Sequence, residues 1–128
     1  MDILQTCAFC NIVSKKLSSK IHFEDNEIVV FENALMGKWA PMMLLLIPKN
    51  HMEQKDLWGS NHLWIKLSKI ATELGEKYCP KGFRLVSNFG AEGLQTQPHA
   101  HLHMIGRKHL GPYVDRDSTK NWEDWIEK

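Results

Sequence analysis

The stretch Gln97-Pro98-His99-Ala100-His101-Leu102-His103-Met104-Ile105 decides both the fold and the candidate chemistry of this chain. Three of the seven histidines alternate here with small or apolar residues. Alternation is the period of a β-strand, so the pattern predicts a strand with three imidazoles on one face and apolar side chains on the other. Histidine titrates near neutrality and serves as nucleophile, general acid or base, or metal ligand. The row therefore predicts a functional site rather than the wet side of an ordinary strand.

The composition is that of one soluble globular domain. The chain has 128 residues, of which 43% are hydrophobic and 24% are charged, and this length can bury a full core. A formal net charge of +1 gives no basic stripe for nucleic acid. The apolar run at 41–48 is too short to span a bilayer, and the start has no signal-peptide pattern. Three cysteines form no disulfide framework. We therefore expect a cytoplasmic protein without nucleic-acid or membrane partners.

Outward from the histidine row, the periodicity predicts several more strands. The apolar run Met42 to Ile47 is bounded by prolines and has the length of a buried central strand. Residues 22–31 favour two short strands around an Asp-Asn turn. Residues 82–89 alternate as a further strand, and a loop at 90–96 leads into the histidine strand.

Two helices are also predicted. The first covers residues 7–17 and places Phe9, Ile12, Val13 and Leu17 on one face. The second begins after Ser60 or Asn61, either of which can cap it, and ends before Pro80 and Gly82. Its apolar stripe consists of Leu63, Trp64, Leu67, Ile70, Ala71, Leu74 and Tyr78. From Gly106 onward we expect a docked extension that ends in a short helix around 121–125.

Four separate elements resemble the histidine triad (HIT) superfamily. They are His-Ala-His-Leu-His-Met-Ile at 99–105, Ile47-Pro48-Lys49-Asn50-His51, Asn88 with the loop residues Gly93, Gln95 and Thr96, and Cys7-Ala8-Phe9-Cys10-Asn11-Ile12-Val13. The last element is similar to the zinc-bearing version of the Hint branch. The resemblance covers about residues 7–107 and implies a single HIT domain over 1–128, with 108–128 as a C-terminal extension. It also implies a HIT-like α+β fold, in which about five antiparallel strands carry one long helix and a short N-terminal helix.

The chemistry of the histidine row fits cleavage of a phosphoanhydride, phosphoester or phosphoramidate. A nitrogen nucleophile attacks phosphorus, the leaving group departs, and water resolves the resulting nucleotidyl-imidazole. The middle histidine, His101, suits this role, while His103 and the polar loop can serve the phosphate oxygens. No acidic site of the magnesium type is visible, so neutral donors must supply most of the stabilisation.

The resemblance implies the same roles residue by residue. His101 stands at the nucleophile position, and the positions near the phosphate or leaving group are Asn88, Gln95, Thr96 and His103. The acidic residue that binds the ribose hydroxyls in the family falls at Asn33 here, with Glu32 beside it. The segment from 33 to 39 is about one residue longer than usual and contains the bulky Trp39. Phe9 and Ile12 match base-contacting positions, although they would serve equally well as core residues.

A second constellation indicates a metal. Cys7 and Cys10 have the spacing at which a turn brings two thiolates onto one ion. His51 and His99 would complete a tetrahedral site, and zinc-bearing relatives use the equivalent positions. Such a zinc would be structural and would tie the first helix to the sheet. A redox pair and two packed thiols are the alternatives.

The leading function is a nucleotide-binding hydrolase or nucleotidyl transferase that cleaves a nucleoside monophosphate from a small leaving group. A dinucleoside polyphosphate hydrolase and a nucleotide-binding interaction protein with little catalysis are the alternatives. Hint-branch relatives imply a homodimer through the long helix and an edge strand, although the apolar stripe would also cover a monomer's own sheet. Cys79 is predicted to be a packed free thiol. His22, His62 and His109 have no partner pattern and are expected at the surface or in the core.

Overall fold

Five antiparallel strands form the centre of the computed structural model, which describes residues 6–112. They are β1 (Ile21–Glu24), β2 (Ile28–Glu32), β3 (Met42–Pro48), β4 (Phe83–Val86) and β5 (Leu102–Gly106), in the order β1-β2-β3-β5-β4. The described helices are α1 (Ala8–Val13), α2 (Gln54–Trp58) and α3 (Asn61–Tyr78). This arrangement confirms the predicted α+β fold. The terminal helix predicted around 121–125 lies outside the described residues.

The central position of β3 follows from its composition. All seven of its residues are buried, and β2 and β5 flank it in antiparallel register. Alternate side chains of a strand point to opposite faces, so a strand without polar residues must be covered on both sides. Each large apolar side chain buried in this way contributes about 1.5–3 kcal/mol. The sheet therefore has two covered faces, here called the α3 face and the α1 face.

The α3 face carries the larger hydrophobic core. Its buried residues include Ile28, Val30, Leu44, Leu46, Leu102 and Met104 from the strands and Leu67, Ile70 and Ala71 from α3. The hydroxyl of Ser60 accepts a hydrogen bond from the Leu63 N–H at 3.1 Å and caps α3 as predicted. The rest of the predicted stripe, Leu63, Trp64, Leu74 and Tyr78, packs against the same core. The stripe thus covers the chain's own sheet.

Gly75 lets α3 approach the edge strand closely. A Cβ built at this position would lie 2.4 Å from the ring of Phe83. Glycine inside a helix costs about 1 kcal/mol relative to alanine. The close contact between α3 and β4 requires this residue.

The α1 face holds a smaller core next to the histidines. Phe9 and Ile12 of α1 pack with Val29, Phe31, Leu45 and Ile47 from the strands. The Phe9 ring meets the Phe31 ring edge-on at 5.5 Å between centroids. Because α1 is only six residues long, it gains its stability from this packing.

The first helix is shorter than the predicted range of 7–17. It ends at Val13, and Lys15 adopts a left-handed conformation with φ of 66°. The N–H groups of Lys16 and Leu17 both return to the carbonyl of Asn11, which closes the helix end. The prediction that Leu17 continues the apolar face was therefore wrong, since its side chain is 48% exposed.

The histidine strand begins later than predicted. Regular pairing starts at Leu102, because the preceding N–H groups bond elsewhere. The Ala100 N–H donates to the carbonyl of Met52, and the His101 N–H donates to the side chain of Gln54. The predicted separation of faces nevertheless holds, since Ala100, Leu102 and Met104 all lie in the α3-face core.

Two further differences concern the neighbouring elements. The strand predicted over 82–89 is confined to Phe83–Val86, and the short helix Gln54–Trp58 was not predicted. The Asp-Asn turn between β1 and β2 is confirmed, since the Asp25 carboxylate accepts hydrogen bonds from the Glu27 and Ile28 N–H groups. Among the helices of residues 6–112, none combines the length and apolar composition needed to cross a bilayer.

Candidate active site and metal cluster

The four predicted metal ligands come together at the junction of α1 and the sheet. Cys7 precedes α1 and Cys10 lies within it, whereas His51 follows β3 and His99 precedes β5. Their ligand atoms all lie within 4.8 Å of one another. The Cys10 Sγ is 3.3 Å from the His51 Nδ1 and 3.4 Å from the His99 Nδ1, and the Cys7 Sγ is 3.6 Å from the His99 Nδ1. Three segments far apart in the sequence thus converge on one point.

These distances suit a tetrahedral ion. With zinc bonds of about 2.3 Å to sulfur and about 2.0–2.1 Å to nitrogen, a sulfur and a nitrogen on one tetrahedron are about 3.5 Å apart. The His99 Nε2–H donates to the Pro48 carbonyl at 2.7 Å, so Nδ1 is the nitrogen with a lone pair for a metal. A carbonyl that holds the second nitrogen is the usual support of a histidine ligand. The donor set therefore fits a metal ion.

The electrostatics of His99 agree with a ligand role. Its side chain is fully buried. Burial lowers its pKa to about 4, and the nearby His51 and His101 act in the same direction. The imidazole is neutral at pH 7, as metal coordination requires.

His101 is held in one tautomer two residues further along. Its Nδ1 lies 2.7 Å from the backbone carbonyl oxygen of His99. Because a carbonyl can only accept a hydrogen bond, Nδ1 carries the proton and donates it. The unprotonated Nε2 then carries the lone pair of the ring. The residue is only 2% exposed, and burial lowers its pKa, which keeps the ring neutral. A neutral, oriented imidazole is what a nitrogen nucleophile needs.

Aromatic contacts fix the plane of this imidazole. The rings of Phe9 and His103 meet His101 edge-on, at centroid distances of 5.3 Å and 4.9 Å. Burial, together with the neighbouring His101, lowers the pKa of His103 to about 4. His103 is consequently a neutral hydrogen-bonding group beside the candidate nucleophile.

Gln54 is a site residue that the sequence prediction missed. It is 3% exposed, and both ends of its amide are used. Its Oε1 accepts from the His101 N–H at 2.9 Å, and its Nε2 donates to the Asn88 carbonyl at 3.0 Å. This one side chain joins the segment after β4 to the segment that carries His101. Nothing in the local sequence distinguishes it, because it stands between the charged Glu53 and Lys55 like a surface residue.

The predicted phosphate-site residues of the loop lie around a cavity of about 550 Å³. Gln95 and Thr96 line it together with Gln54. Gln95 shapes the loop, since its Oε1 accepts from the Gly90 N–H and its Nε2 donates to the Gln97 carbonyl. Asn88 is half-buried at the start of the loop and is tied to Gln54 through its carbonyl. A cavity of this volume accommodates a small ligand.

The two candidate ribose residues separate onto different faces. The carboxylate of Glu32 bonds His22 at 2.8 Å, and the other nitrogen of His22 lies 3.3 Å from the Tyr78 hydroxyl at the end of α3. Glu32 therefore lies on the α3 face. Asn33 falls in the alternate register and pairs through its N–H with the Met43 carbonyl. By strand alternation it shares the α1 face with His103.

The side chain of Asn33 already has one local partner. Its Oδ1 accepts from the Leu35 N–H at 2.9 Å and forms a turn at the start of the longer segment. Trp39 in that segment is strongly exposed. Phe9 and Ile12 are buried members of the α1-face core, and their contact with a base stays a prediction.

The remaining cysteine and histidines behave as expected for residues outside the site. Cys79 is a buried free thiol, and burial raises its pKa. His62 is exposed and pairs with Glu27 at 2.8 Å. His22 is partly buried in the contact with Glu32 already described, and His109 is exposed.

Known proteins are similar to this chain in sequence and in fold. A family model described as "Scavenger mRNA decapping enzyme C-term binding" matches residues 6–119. An uncharacterized HIT-like protein of Rickettsia prowazekii is 33% identical over 109 residues, which cover 80% of this chain and 88% of the relative. A solved HIT family hydrolase from Clostridium thermocellum superposes with a TM-score of 0.76 at 30% identity and covers 87% of this chain and 98% of that one.

A HIT family hydrolase from Legionella pneumophila is also similar, with a TM-score of 0.72 at 29% identity over 82% of this chain and 96% of that chain. The order of the strands and the histidine row thus define a histidine triad fold. The chain belongs to the histidine triad (HIT) family.

Proposed function

We propose that this protein is a nucleotide hydrolase or nucleotidyl transferase that works through a nucleotidyl-His101 intermediate. The observation that carries the proposal is the hydrogen bond from the His101 Nδ1–H to the His99 carbonyl, which leaves the Nε2 lone pair for attack. In the first step a bond forms between Nε2 and phosphorus, and the bond from phosphorus to the leaving group breaks. Water or another acceptor then takes the nucleotide from Nε2.

Neutral hydrogen-bond donors would stabilise the phosphorus centre. His103 is in ring contact with His101, and Asn88 lies on the segment that Gln54 joins to the His101 segment. Gln95 lies in the loop between Asn88 and His101. Phosphoryl transfer depends chiefly on positioning and on donors aimed at the nonbridging oxygens. The arrangement supports cleavage of a nucleoside monophosphate from its leaving group.

We place a phosphoramidate or a simple nucleoside phosphate ahead of a dinucleoside polyphosphate. Among the described residues that line the loop cavity, Lys55 is the one cation and Glu53 is beside it, and neither His101 nor His103 lines this cavity. The loop residues therefore offer little positive charge for a leaving nucleotide with several phosphates.

The test is a substrate panel combined with trapping of the intermediate. Release of AMP would be measured from adenosine phosphoramidate, ADP and diadenosine polyphosphates. Alkaline quench and mass spectrometry would look for a nucleotidyl adduct on His101, since nitrogen–phosphorus bonds are acid-labile. Fastest turnover of adenosine phosphoramidate with an adduct at His101 would support the proposal. Tight AMP binding without turnover of any panel member would favour a nucleotide-binding interaction protein.

We propose that the cluster of Cys7, Cys10, His51 and His99 holds a structural zinc. The support is the sulfur–nitrogen spacing of 3.3–3.6 Å between these side chains and the carbonyl that orients His99. All four positions are occupied by protein groups, so no position remains for a reacting water. The ion would fix the backbone carbonyl of His99, which in turn holds the nucleophile.

We also propose a homodimer that uses the sheet edge at β4. Among the strands of residues 6–112, β4 ends the sheet. The aromatic side chains of Trp58, Trp64 and Phe89 form a cluster in which Trp58 and Trp64 stack at 4.0 Å. Ile65 is 65% exposed nearby on α3. An unpaired edge with exposed apolar groups favours pairing with another copy. Light scattering of the protein as it elutes from a size-exclusion column should give twice the mass of one chain. In Ile65→Lys the measured mass should fall to that of one chain.

A further inference from the structure

A second cavity, of about 690 Å³, lies at the opposite end of β5 from His101. Its walls come from the end of α3, the turn into β4 and the residues after β5. None of the candidate catalytic or metal-cluster residues lines it. The volume is within the range of sites for small organic ligands.

The rim of this cavity is strongly basic. Lys81, Arg84, Arg107, Lys108 and His109 line it, and no carboxylate is among its described lining residues. The negative end of the α3 dipole accounts for one cation, Arg107, whose Nε–H donates to the Tyr78 carbonyl at 2.8 Å. It does not account for the others, so the charge exceeds what the helix end requires.

Backbone carbonyls orient Arg107 and Lys108 without cancelling their charge. The Lys108 ammonium donates to the Trp39 carbonyl at 2.8 Å, just as the Arg107 guanidinium donates to the Tyr78 carbonyl. Within residues 6–112, neither Arg107 nor Lys108 forms an ion pair with a carboxylate. A carbonyl contributes only a partial charge, so the positive potential over the cavity is retained.

Arg107 is also strained. Its φ is 67°, a conformation that costs a non-glycine residue about 1 kcal/mol or more. Strain of this kind persists where the surrounding structure holds it, and such positions cluster at ligand sites. Arg107 lines the cavity from this strained position.

The floor of the cavity is apolar. Cys79, Phe83 and Leu110 line it. Burial raises the pKa of the Cys79 thiol, so the floor carries no charge at neutral pH. A floor of this kind beside a basic rim matches a ligand with an uncharged apolar body and an anionic group.

We propose that this cavity binds an organic phosphate, with the phosphate on the Lys81–Arg107–Lys108 rim and an apolar body against Phe83 and Leu110. Guanidinium and ammonium groups together bind a phosphate dianion through charge-assisted hydrogen bonds. The site is separate from the one around His101 and does not depend on the function proposed for it.

The probe is phenyl phosphate, titrated into the full chain and followed by backbone amide NMR. The expected result is saturable shifts at residues 79–84 and 106–110. Phenol lacks the charge and inorganic phosphate lacks the apolar body, so each should bind at least threefold more weakly. Binding should also weaken as salt rises. Shifts confined to residues 88–103, or equal binding of phenol, would overturn the proposal.

Matched charge variants locate the phosphate. Lys81→Gln should raise the Kd of phenyl phosphate about threefold, as expected for one exposed charge. Arg107→Gln should raise it more. Lys69→Gln, an exposed lysine of α3 that does not line the cavity, should leave it unchanged, as should His101→Ala. Lys81 makes no described hydrogen bond, so its variant tests the site even if Arg107→Gln fails to fold. Equal affinity in Lys81→Gln and Lys69→Gln would contradict the proposal.

Discussion

The two faces of the sheet use polar side chains in opposite ways. On the α3 face the ionic groups stay at the margin, as in the network of Asp25, Glu27 and Lys66, and the centre is apolar. On the α1 face His99 and His101 are buried at the centre, and each has one ring nitrogen bonded to a carbonyl. Burying a polar group is costly unless it is bonded. The difference supports our proposal that the α1 face carries the chemistry, whereas the α3 face contains the larger apolar core.

Among variants of the two faces, His101→Ala should have the largest effect on activity. Loss of a covalent nucleophile should lower turnover by more than about 10³-fold, or about 4 kcal/mol of barrier. The metal content should change little, because His101 is not one of the four clustered ligands, whereas loss of a buried ring should lower the melting temperature. Steady-state kinetics on the best substrate of the panel would check this. Activity within tenfold of the wild type would mean that His101 is not the nucleophile.

Cys7→Ser should lower the metal content and the stability of the protein together. Removing one of the four proposed ligands should release the zinc ion. It should also lower the free energy of unfolding by a few kcal/mol, since metal binding contributes directly to folding. Elemental analysis should give about one zinc per chain for the wild type and much less for the variant. Cys79→Ser, which changes a buried thiol outside the cluster, is the matched control and should keep its zinc. Equal metal content in Cys7→Ser would leave the two thiols as packing groups.

Variants of Gln54 test how much the positioning of His101 contributes to activity. Gln54→Leu removes both hydrogen bonds and leaves the His101 N–H without its acceptor, which should cost about 1–3 kcal/mol. We expect kcat to fall about tenfold or more with a smaller change in KM, because the nucleophile shifts while the binding groups remain. Gln54→Glu keeps the acceptor for the His101 N–H and should retain more activity than Gln54→Leu. A pure loss of stability with unchanged kcat would make Gln54 a structural residue only.

Variants of Asn33 test whether the candidate site on the α1 face also binds the ribose of the nucleotide. A neutral amide bond to a hydroxyl contributes about 0.5–1.5 kcal/mol, against about 1.5–3 kcal/mol when one partner is charged. Discrimination between AMP and deoxy-AMP should therefore be modest in the wild type and stronger in Asn33→Asp. Dissociation constants of both nucleotides for both proteins would decide this. Glu32→Gln on the other face should leave the discrimination unchanged.

The smallest effect is expected on the α3 face from the charge of Asp25. Partial burial opposes the shift, but hydrogen bonds from Lys66 and from the Glu27 and Ile28 N–H groups lower the pKa of this carboxyl to about 2. A lowered pKa stabilises the fold above the unfolded value near 3.8, and this stability is lost as the pH falls through about 2. Asp25→Asn keeps the acceptor and removes the charge.

Asp25→Asn should therefore be less stable by about 1 kcal/mol at pH 7, and the difference should vanish near pH 2. Denaturant unfolding at both pH values measures it. Activity should not change, because Asp25 lies in the turn between β1 and β2 and contacts none of the candidate site residues. A difference in stability that persists at the lower pH would mean that the charge is not its source.

Much of the architecture could be predicted because it is local. The all-apolar β3 and the 3.6-residue spacing of α3 each define a single element and the face that it buries. The spacing of the Cys-x-x-Cys pair and of the histidine row likewise identified these residues as candidate site residues. Helix ends were harder, because the left-handed turn at Lys15 that stops α1 has no glycine to mark it.

The contacts that complete the site could not be predicted, because they depend on partners distant in the sequence. Gln54 has no distinguishing neighbours, and its role exists only once β4 and β5 lie side by side. The start of β5 was misplaced for the same reason, since the N–H groups of Ala100 and His101 bond to the segment after β3. The side of the sheet taken by Glu32 was settled by its contact with His22, which comes from β1.

The central position of β3 has a consequence for synthesis. This strand pairs on one side with β2, which precedes it closely, and on the other with β5, which is made much later. A nascent chain therefore exposes an apolar, uncharged edge until the histidine segment leaves the ribosome, and such edges aggregate readily. The pairing of Leu45 with His103 must close a long loop, which slows folding. Because the candidate nucleophile directly precedes that last central strand, the candidate site can be completed only in the step that also removes the exposed edge.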